Sequence, residues 1–275
     1  MRIKKKKEVN FDEMMVRLRP FAVWAVWLGA GAGLFFAWRG MERMMFSQNP
    51  KFTITEVIVH TGQAVDEDEV RENTKINKGV NIFSFNAAKT SREFLKNCPP
   101  VADLHIKKIL PSTVVITASD RKEALRVGQS DMVIGRDGLV MVADGKMKKR
   151  WGPVPVLVDG DRPVNTVNGG KITDGKIALA LEIANTHYKE RGMSFRIGKI
   201  DIGNSVFAVL VTTGAHTPQI IRLPWDEISA GEDAIRTALI MASETIAKPE
   251  SGQYVSFSVV MHRQPPGVVG STTWD

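Results

Sequence analysis

An uncharged stretch of 18 residues near the start of the chain constrains the fold more than any other feature. It covers residues 21–38 and reads FAVWAVWLGAGAGLFFAW. In a helix, which rises about 1.5 Å per residue, this stretch spans roughly 27 Å, close to the ~30 Å hydrocarbon core of a bilayer. The sequence therefore predicts a single N-terminal transmembrane helix over residues 21–38, with all of the following chain on one side of the membrane.

Small side chains recur every four residues along this predicted helix and would form one stripe on its surface. Small residues at this spacing let two membrane helices approach closely. The stripe is therefore a candidate surface for packing against a partner helix, and the alternative is a lipid-facing anchor with no specific partner. Its members are Ala25, Gly29, Gly33 and Ala37.

A basic head followed by an apolar run also describes a cleaved secretory signal. Here the apolar run is longer than the core of a usual signal. It ends in Phe35, Phe36, Trp38 and Arg39 rather than in a small-x-small cleavage site. These features favour a retained anchor over a cleaved signal.

Positive charge on the two sides of the span predicts its orientation. Residues 1–20 carry seven Lys and Arg side chains, and residues 39–58 carry three. The positive-inside rule then places the short tail in the cytoplasm and the bulk of the chain outside it, in the periplasmic or extracytoplasmic space. The tail holds +4 of the net charge of +7. We therefore interpret the basic excess as a topology signal and a contact with anionic lipid, and we expect no nucleic-acid partner.

Residue types that carry chemistry are sparse and scattered. The chain has one cysteine, Cys98, so an intrachain disulfide is excluded, and a lone thiol next to Pro99 is typical of a packed small hydrophobe. No HExxH, GxSxG, Walker-type or SxxK motif with its partner motifs is present. The sequence thus predicts no catalytic residue, no cofactor and no metal site. The histidines, none of which forms a pair with ligand spacing, are His60, His105, His187, His216 and His262.

From Phe52 onward, the hydrophobic pattern predicts strand, helix, helix, strand and strand within about seventy residues. FTITEVIVH alternates as a strand, Asp66 and Asn86 are candidate helix caps, and 101–109 reads as a second strand. Leu110-Pro111-Ser112 then turns into the third strand. We interpret the preceding residues 39–51 as a juxtamembrane linker.

The order and spacing of these motifs resemble a POTRA domain, in particular that of the bacterial cell-division family FtsQ/DivIB. The resemblance is carried by the sequence KKILPSTVVITASDRKEALRV, whose strand–Leu-Pro–strand pattern is similar to that family's. It implies a POTRA domain over residues 52–121 and an FtsQ-type β domain over 122–261. Further motif residues are Phe52, Ile54, Val57, Val59, Gly62, Gly79, Asn81, Ile82, Phe83, Pro99, Val101, Asp120 and Arg121. Lys108 stands where the family commonly has arginine, and Asp120 where it commonly has glutamate.

The second domain is predicted to be mixed and β-rich, with two helices. A hairpin is expected around Asp137-Gly138, a helix over 174–190, and another helix opened by Ser229-x-x-Glu232. The last strand is expected at Tyr254–Met261, and residues 262–275, rich in Pro and Gly, are predicted to be a disordered tail. The fold class is therefore α+β with one membrane helix. The remaining strands are predicted at 196–202, 206–212 and 219–223.

The resemblance implies a non-enzymatic scaffold of the division machinery in the inner membrane at the septum. Its expected partners are small coiled-coil membrane subunits similar to FtsB and FtsL, and proteins of septal wall synthesis. The candidate docking residues on the last strand are Tyr254, Val255, Ser256, Phe257 and Val259. Two alternatives remain: a POTRA-bearing component of protein secretion or outer-membrane assembly, and an anchored periplasmic enzyme.

Overall fold

The computed structural model describes residues 27–40, 49–143, 145–150, 154–213, 218–248, 255–261 and 266–272. The helices in these ranges are α1 (27–40), α2 (Glu67–Thr74), α3 (Ala87–Asn97), α4 (Gly145–Arg150), α5 (Gly175–Lys189), α6 (Trp225–Ile228) and α7 (Glu232–Ile246), with a short 3-10 turn at Pro50–Phe52. The strands are β1 (Glu56–His60), β2 (Val101–Ile109), β3 (Thr113–Asp120), β4 (Glu123–Val127), β5 (Met132–Gly135), β6 (Val140–Val142), β7 (Val156–Val158), β8 (Arg196–Asp201), β9 (Phe207–Thr213), β10 (Ile220–Pro224), β11 (Ser256–Val260) and β12 (Gly267–Ser271).

Helix α1 contains the C-terminal part of the predicted transmembrane segment. Its residues are exposed, and a Cβ placed on Gly29 or Gly33 would meet nothing within 4 Å. Across the part of the chain that the structure describes, no helix combines the length and the apolar character needed to span a bilayer. Ala25 and the basic tail lie outside the described residues.

A three-stranded sheet with the order β1-β3-β2 follows the 3-10 turn. Strand β3 alternates as the sequence predicts: Val114 and Ile116 are fully buried, and Val115 between them is partly exposed. The predicted strand 101–109 is confirmed as β2. Helix α3 begins after Asn86, whose side-chain oxygen accepts the Lys89 amide at 3.1 Å, as a capping residue does.

A nine-stranded sheet contains the rest of the strands, in the order β12-β11-β10-β9-β8-β7-β4-β5-β6. Pairing is antiparallel except at the β10–β11, β4–β7 and β7–β8 junctions, which are parallel. Helix α5 packs against β4 and β8, α7 packs against β11 and β12, and the two helices pack against each other. The largest core cluster lies between these helices and the sheet, and includes Leu125, Leu157, Ile183, Leu210, Ile221 and Leu239.

Two expectations about the C-terminal part are wrong. Residues 267–271, predicted as part of a disordered tail, form strand β12 along β11. Helix α7 is opened not by Ser229 but by Gly231, because the Ser229 hydroxyl instead donates to the Asp226 carbonyl and ends the short helix α6.

By packing, the chain divides into two compact units. The first unit contains the residues up to Ile58 together with Lys75–Thr90 and Ile106–Ile116. The second contains Val59–Thr74, Ser91–His105 and the residues from Thr117 onward. The predicted boundary between domains after residue 121 stays a prediction from sequence.

Candidate partner-binding edge

The strand predicted to bind a partner lies inside the sheet. β11 pairs with β10 on one side and with β12 on the other. Its residues Ser256, Phe257 and Val259 have no exposed surface, and Val259 belongs to the core cluster between the helices and the sheet. Partner binding by these side chains therefore stays a prediction, and the end strand of the described sheet is β12.

The predicted docking strand begins with Tyr254 and Val255. Tyr254 lies outside the described residues. Val255 is partly buried, and its backbone is used on both sides: its amide donates to Ser271 at 2.9 Å, and its carbonyl accepts from Ile220 at 3.0 Å. The main-chain groups of Val255 are thus committed to the sheet.

Strand β12 is the last strand of the nine-stranded sheet, and β11 is its neighbour in the described sheet. Val268 packs against the core cluster, whereas Val269 on the opposite face is 49 % exposed. Val268 therefore anchors the strand to the core, and the side chain of Val269 is exposed to solvent. Glycines on either side leave its backbone open to close approach.

The register indicates which backbone groups of β12 point away from β11. The Ser271 carbonyl accepts the Val255 amide, and Ser258 is paired with Val269. Because N–H and C=O groups alternate sides along a strand, Ser271 and Val269 face β11, and Val268 and Gly270 face outward. An outward row of this kind is a template on which another strand can pair.

Buried polar contacts hold β11 in place and so fix the position of the edge. The Arg222 guanidinium donates to the Ser256 hydroxyl at 3.2 Å. The buried Glu227 carboxylate accepts the Met261 amide at 2.9 Å. These contacts tie both ends of β11 to β10 and α6, which favours a preformed edge over one that must be ordered on binding.

A second group of polar contacts lies at the end of β3. The Asp120 carboxylate accepts the amides of Gln63 at 2.8 Å and Ala64 at 3.0 Å. A Cβ at Gly62 would lie 2.3 Å from an oxygen of Asp120, so the close approach requires glycine. Asp120 therefore fixes the loop after β1 by accepting its backbone donors.

Arg121 fixes the start of β2 in the same way. It is 8 % exposed, and it donates to the carbonyls of Pro99 at 2.8 Å and Val101 at 3.0 Å. Its guanidinium also pairs with Asp137. Burial lowers the pKa of Arg121 from its usual high value, but the side chain remains charged.

A cavity of about 540 Å³ opens between α5 and the sheet, lined by Arg136, Tyr188 and Arg196 among others. The Arg136 guanidinium lies 3.3 Å from the centre of the Tyr188 ring. A hydrogen bond from Arg136, and then its charge, lower the pKa of Tyr188.

No group of three or more His, Cys, Asp or Glu side chains suited to a metal ion occurs among the described residues. Cys98 is buried, and burial together with the Glu69 carboxylate raises its pKa, which suits packing rather than nucleophilic attack.

Comparison with known proteins shows two similarities. Residues 52–121 match the family model described as POTRA domain, FtsQ-type. Residues 52–121 are thus similar to an FtsQ-type POTRA domain. A cell division protein DivIB from Clostridium acetobutylicum is 27 % identical over 94 residues, which cover 34 % of this chain and 37 % of that protein. The resemblance to the FtsQ/DivIB family stated from the sequence is thus confirmed, and the chain spans little more than a third of the curated relative it matches.

Within the POTRA domain, the structure gives physical roles to motif residues that the sequence could only align. Asp120 and Arg121, which end the motif, are the side chains that accept the loop amides and hold the start of β2. Their roles were missed because each depends on backbone partners some twenty or more residues away. The edge strand β12 was missed for a different reason: its Gly and Pro content masks a short alternating pattern.

Proposed function

We propose that this chain is a non-enzymatic scaffold of the bacterial division machinery. The observation that supports the proposal is the FtsQ-type POTRA domain, together with the similarity to a cell division protein DivIB. The proposal extends that similarity from about a third of the chain to the whole of it. It assigns the POTRA domain to residues 52–121 and the FtsQ-type β domain to residues 122–261.

The scaffold is proposed to be anchored in the inner membrane by residues 21–38, with the N-terminus in the cytoplasm. The support is the uncharged 18-residue stretch and the seven basic side chains before it. In this arrangement, the stripe of Ala25, Gly29, Gly33 and Ala37 faces a partner helix. The bulk of the chain works outside the cytoplasm, at the septum.

Partners are proposed to dock by adding a strand to the free side of β12. Strand addition uses main-chain hydrogen bonds for affinity and side-chain pockets for specificity. The partners proposed for this edge are small coiled-coil membrane subunits similar to FtsB and FtsL. Septal wall synthesis proteins are proposed to join through the membrane helix and the POTRA domain.

A pair of substitutions at Val268 tests the docking edge. Val268→Pro removes the backbone N–H group that points away from β11, and an edge strand tolerates proline at such a position. Val268→Ala keeps this N–H group and removes a similar amount of core contact. We expect Val268→Pro to bind the purified FtsB- and FtsL-like subunits of the same organism at least ~10-fold more weakly, about 1.4 kcal/mol. Val268→Ala should bind within about threefold of the unaltered chain, since its edge donors are intact.

Equal binding by the two variants, at matched thermal stability, would exclude strand addition at β12. Capture of unfolded outer-membrane proteins instead of division subunits would move the proposal to secretion or outer-membrane assembly. Turnover of a cell-wall substrate by the purified protein would contradict a purely structural role.

A further inference from the structure

Three segments of the first unit are joined by backbone hydrogen bonds into one surface. Ile54 donates to the Val80 carbonyl at 2.8 Å, and Ile82 donates to the Phe52 carbonyl at 2.9 Å. Thr55 donates to the Ser112 carbonyl at 2.9 Å. Residues 52–55, the turn after α2 and the β2–β3 turn therefore lie next to one another in this unit.

Apolar side chains are exposed on this surface. Leu110 is 57 % exposed, Ile109 is 42 % exposed and Phe83 is 38 % exposed. The Phe83 ring packs edge-on against Phe52, with 5.1 Å between ring centres. We call Phe52, Phe83, Ile109 and Leu110 the apolar tip.

The charge around the apolar tip is strongly one-sided. The described residues of the first unit beyond the α1 helix contain six lysines and one carboxylate, Glu56. Five of these lysines are exposed, and the three nearest in sequence to the residues of the apolar tip are Lys51, Lys78 and Lys107. Lys108 is partly buried instead: it lies 4.1 Å from the centre of the Phe85 ring and donates to the Phe85 carbonyl at 2.7 Å. Burial lowers the pKa of Lys108, and the exposed lysines carry the charge of the surface.

We propose that the apolar tip and its three exposed lysines rest on an anionic lipid surface. Exposed aromatic and aliphatic side chains that are bordered by lysine are the composition of interfacial membrane binding. The inference rests on the proposed anchor, because Phe52 lies only fourteen residues after Trp38 and a fully extended chain of that length reaches at most about 50 Å. The surface thus stays within reach of the bilayer that holds residues 21–38, and its charge is complementary to that of the lipid headgroups.

A label on the apolar tip tests the contact in the full-length protein. In a Cys98→Ala background, an environment-sensitive fluorophore is placed on Leu110→Cys, and on Val206→Cys as the matched control. Val206 is also exposed, at 62 %, and lies in the second unit. The labelled chains are reconstituted in nanodiscs of phosphatidylglycerol with phosphatidylcholine, or of phosphatidylcholine alone. We expect the label at 110 to shift to shorter wavelength and to be quenched by brominated lipid in the anionic discs only, and the label at 206 to do neither.

Charge reversal separates the lysine contribution from the apolar one. Lys78→Glu with Lys107→Glu should lower the equilibrium constant for contact, read from the quenching at position 110, at least ~10-fold, because each lysine near an anionic surface contributes roughly fivefold to that constant. Lys122→Glu with Lys171→Glu changes the net charge equally, outside the first unit, and should leave the quenching unchanged. Raising the salt to 1 M should mimic the first pair of changes.

The outcomes distinguish this inference from the proposed anchor. Equal signals at positions 110 and 206 in a chain that resists alkaline extraction from the discs would overturn the lipid contact and leave the anchor standing. A chain that is extracted, but whose label at 110 still responds to anionic vesicles, would sustain the lipid contact and contradict the anchor. An unchanged signal at 110 after charge reversal would also overturn the lysine-dependent contact.

Discussion

Loss of Arg121 should destabilise the fold of residues 52–121. Its guanidinium is almost fully buried and donates to two backbone carbonyls. Arg121→Met should lower the free energy of unfolding by about 2–4 kcal/mol, because it leaves buried acceptors without their donor. Arg121→Lys should recover only part, since an ammonium cannot reproduce the planar fork. Urea titrations of the three proteins measure both effects.

Asp137 provides the control for that prediction. Its side chain is 51 % exposed, so solvent screens its pairing with Arg121. Asp137→Asn should cost no more than about 1 kcal/mol. A loss as large as that of Arg121→Met would show that the ion pair, and not the contacts to the backbone, holds Arg121.

His187 should make stability depend on pH. Burial lowers its pKa below the ordinary 6.5, and this outweighs the hydrogen bond of its ring to the Phe195 carbonyl, which raises it. Between the two pKa values the unfolded chain binds more protons than the folded one, so stability rises with pH in that window. Stability should therefore be complete above pH 6.5 and should fall as the pH drops below it. His187→Gln should flatten the dependence of the urea midpoint on pH between about 5 and 7, and an unchanged slope would contradict the assignment.

At the scale of elements, β12 ends the described nine-stranded sheet and pairs with β11. Truncation after Met261 removes the strand and the core contact of Val268. We expect a loss of about 1–3 kcal/mol in the free energy of unfolding, close to the value of one buried valine. Exposure of the β11 edge should also promote self-association, which light scattering of the purified protein detects. A truncated chain that is as stable and as monomeric as the intact one would contradict the strand assignment.

The same element shows where sequence reasoning ends. Long, regular elements such as β2, α5 and the core face of α7 follow directly from their apolar periodicity. β12 does not, because two valines between glycines form a strand only when β11 is beside them. The prediction that Ser229 opens α7 is wrong for a related reason. The sequence shows a residue suited to capping, but it does not show which of two adjacent helices that residue caps. Asp120 and Arg121 could be matched to a motif, while their backbone acceptors and donors required the folded chain.

At the scale of the whole molecule, the chain combines a region similar to an FtsQ-type POTRA domain, a nine-stranded sheet whose described end strand is β12, and the apolar tip. The proposals assign membrane contact to the apolar tip and partner binding to the edge of the sheet. The proposed division role is the central claim, and it concerns the intact protein in its own cell.

Depletion of the protein in its native host, followed by microscopy, tests that claim most directly. We expect filaments or chains with blocked septa, rescued by the unaltered protein and by Val268→Ala but not by Val268→Pro. A tagged copy should gather at midcell before constriction. Normal division with failing envelope biogenesis would contradict the account, because the POTRA fold would then serve a different process.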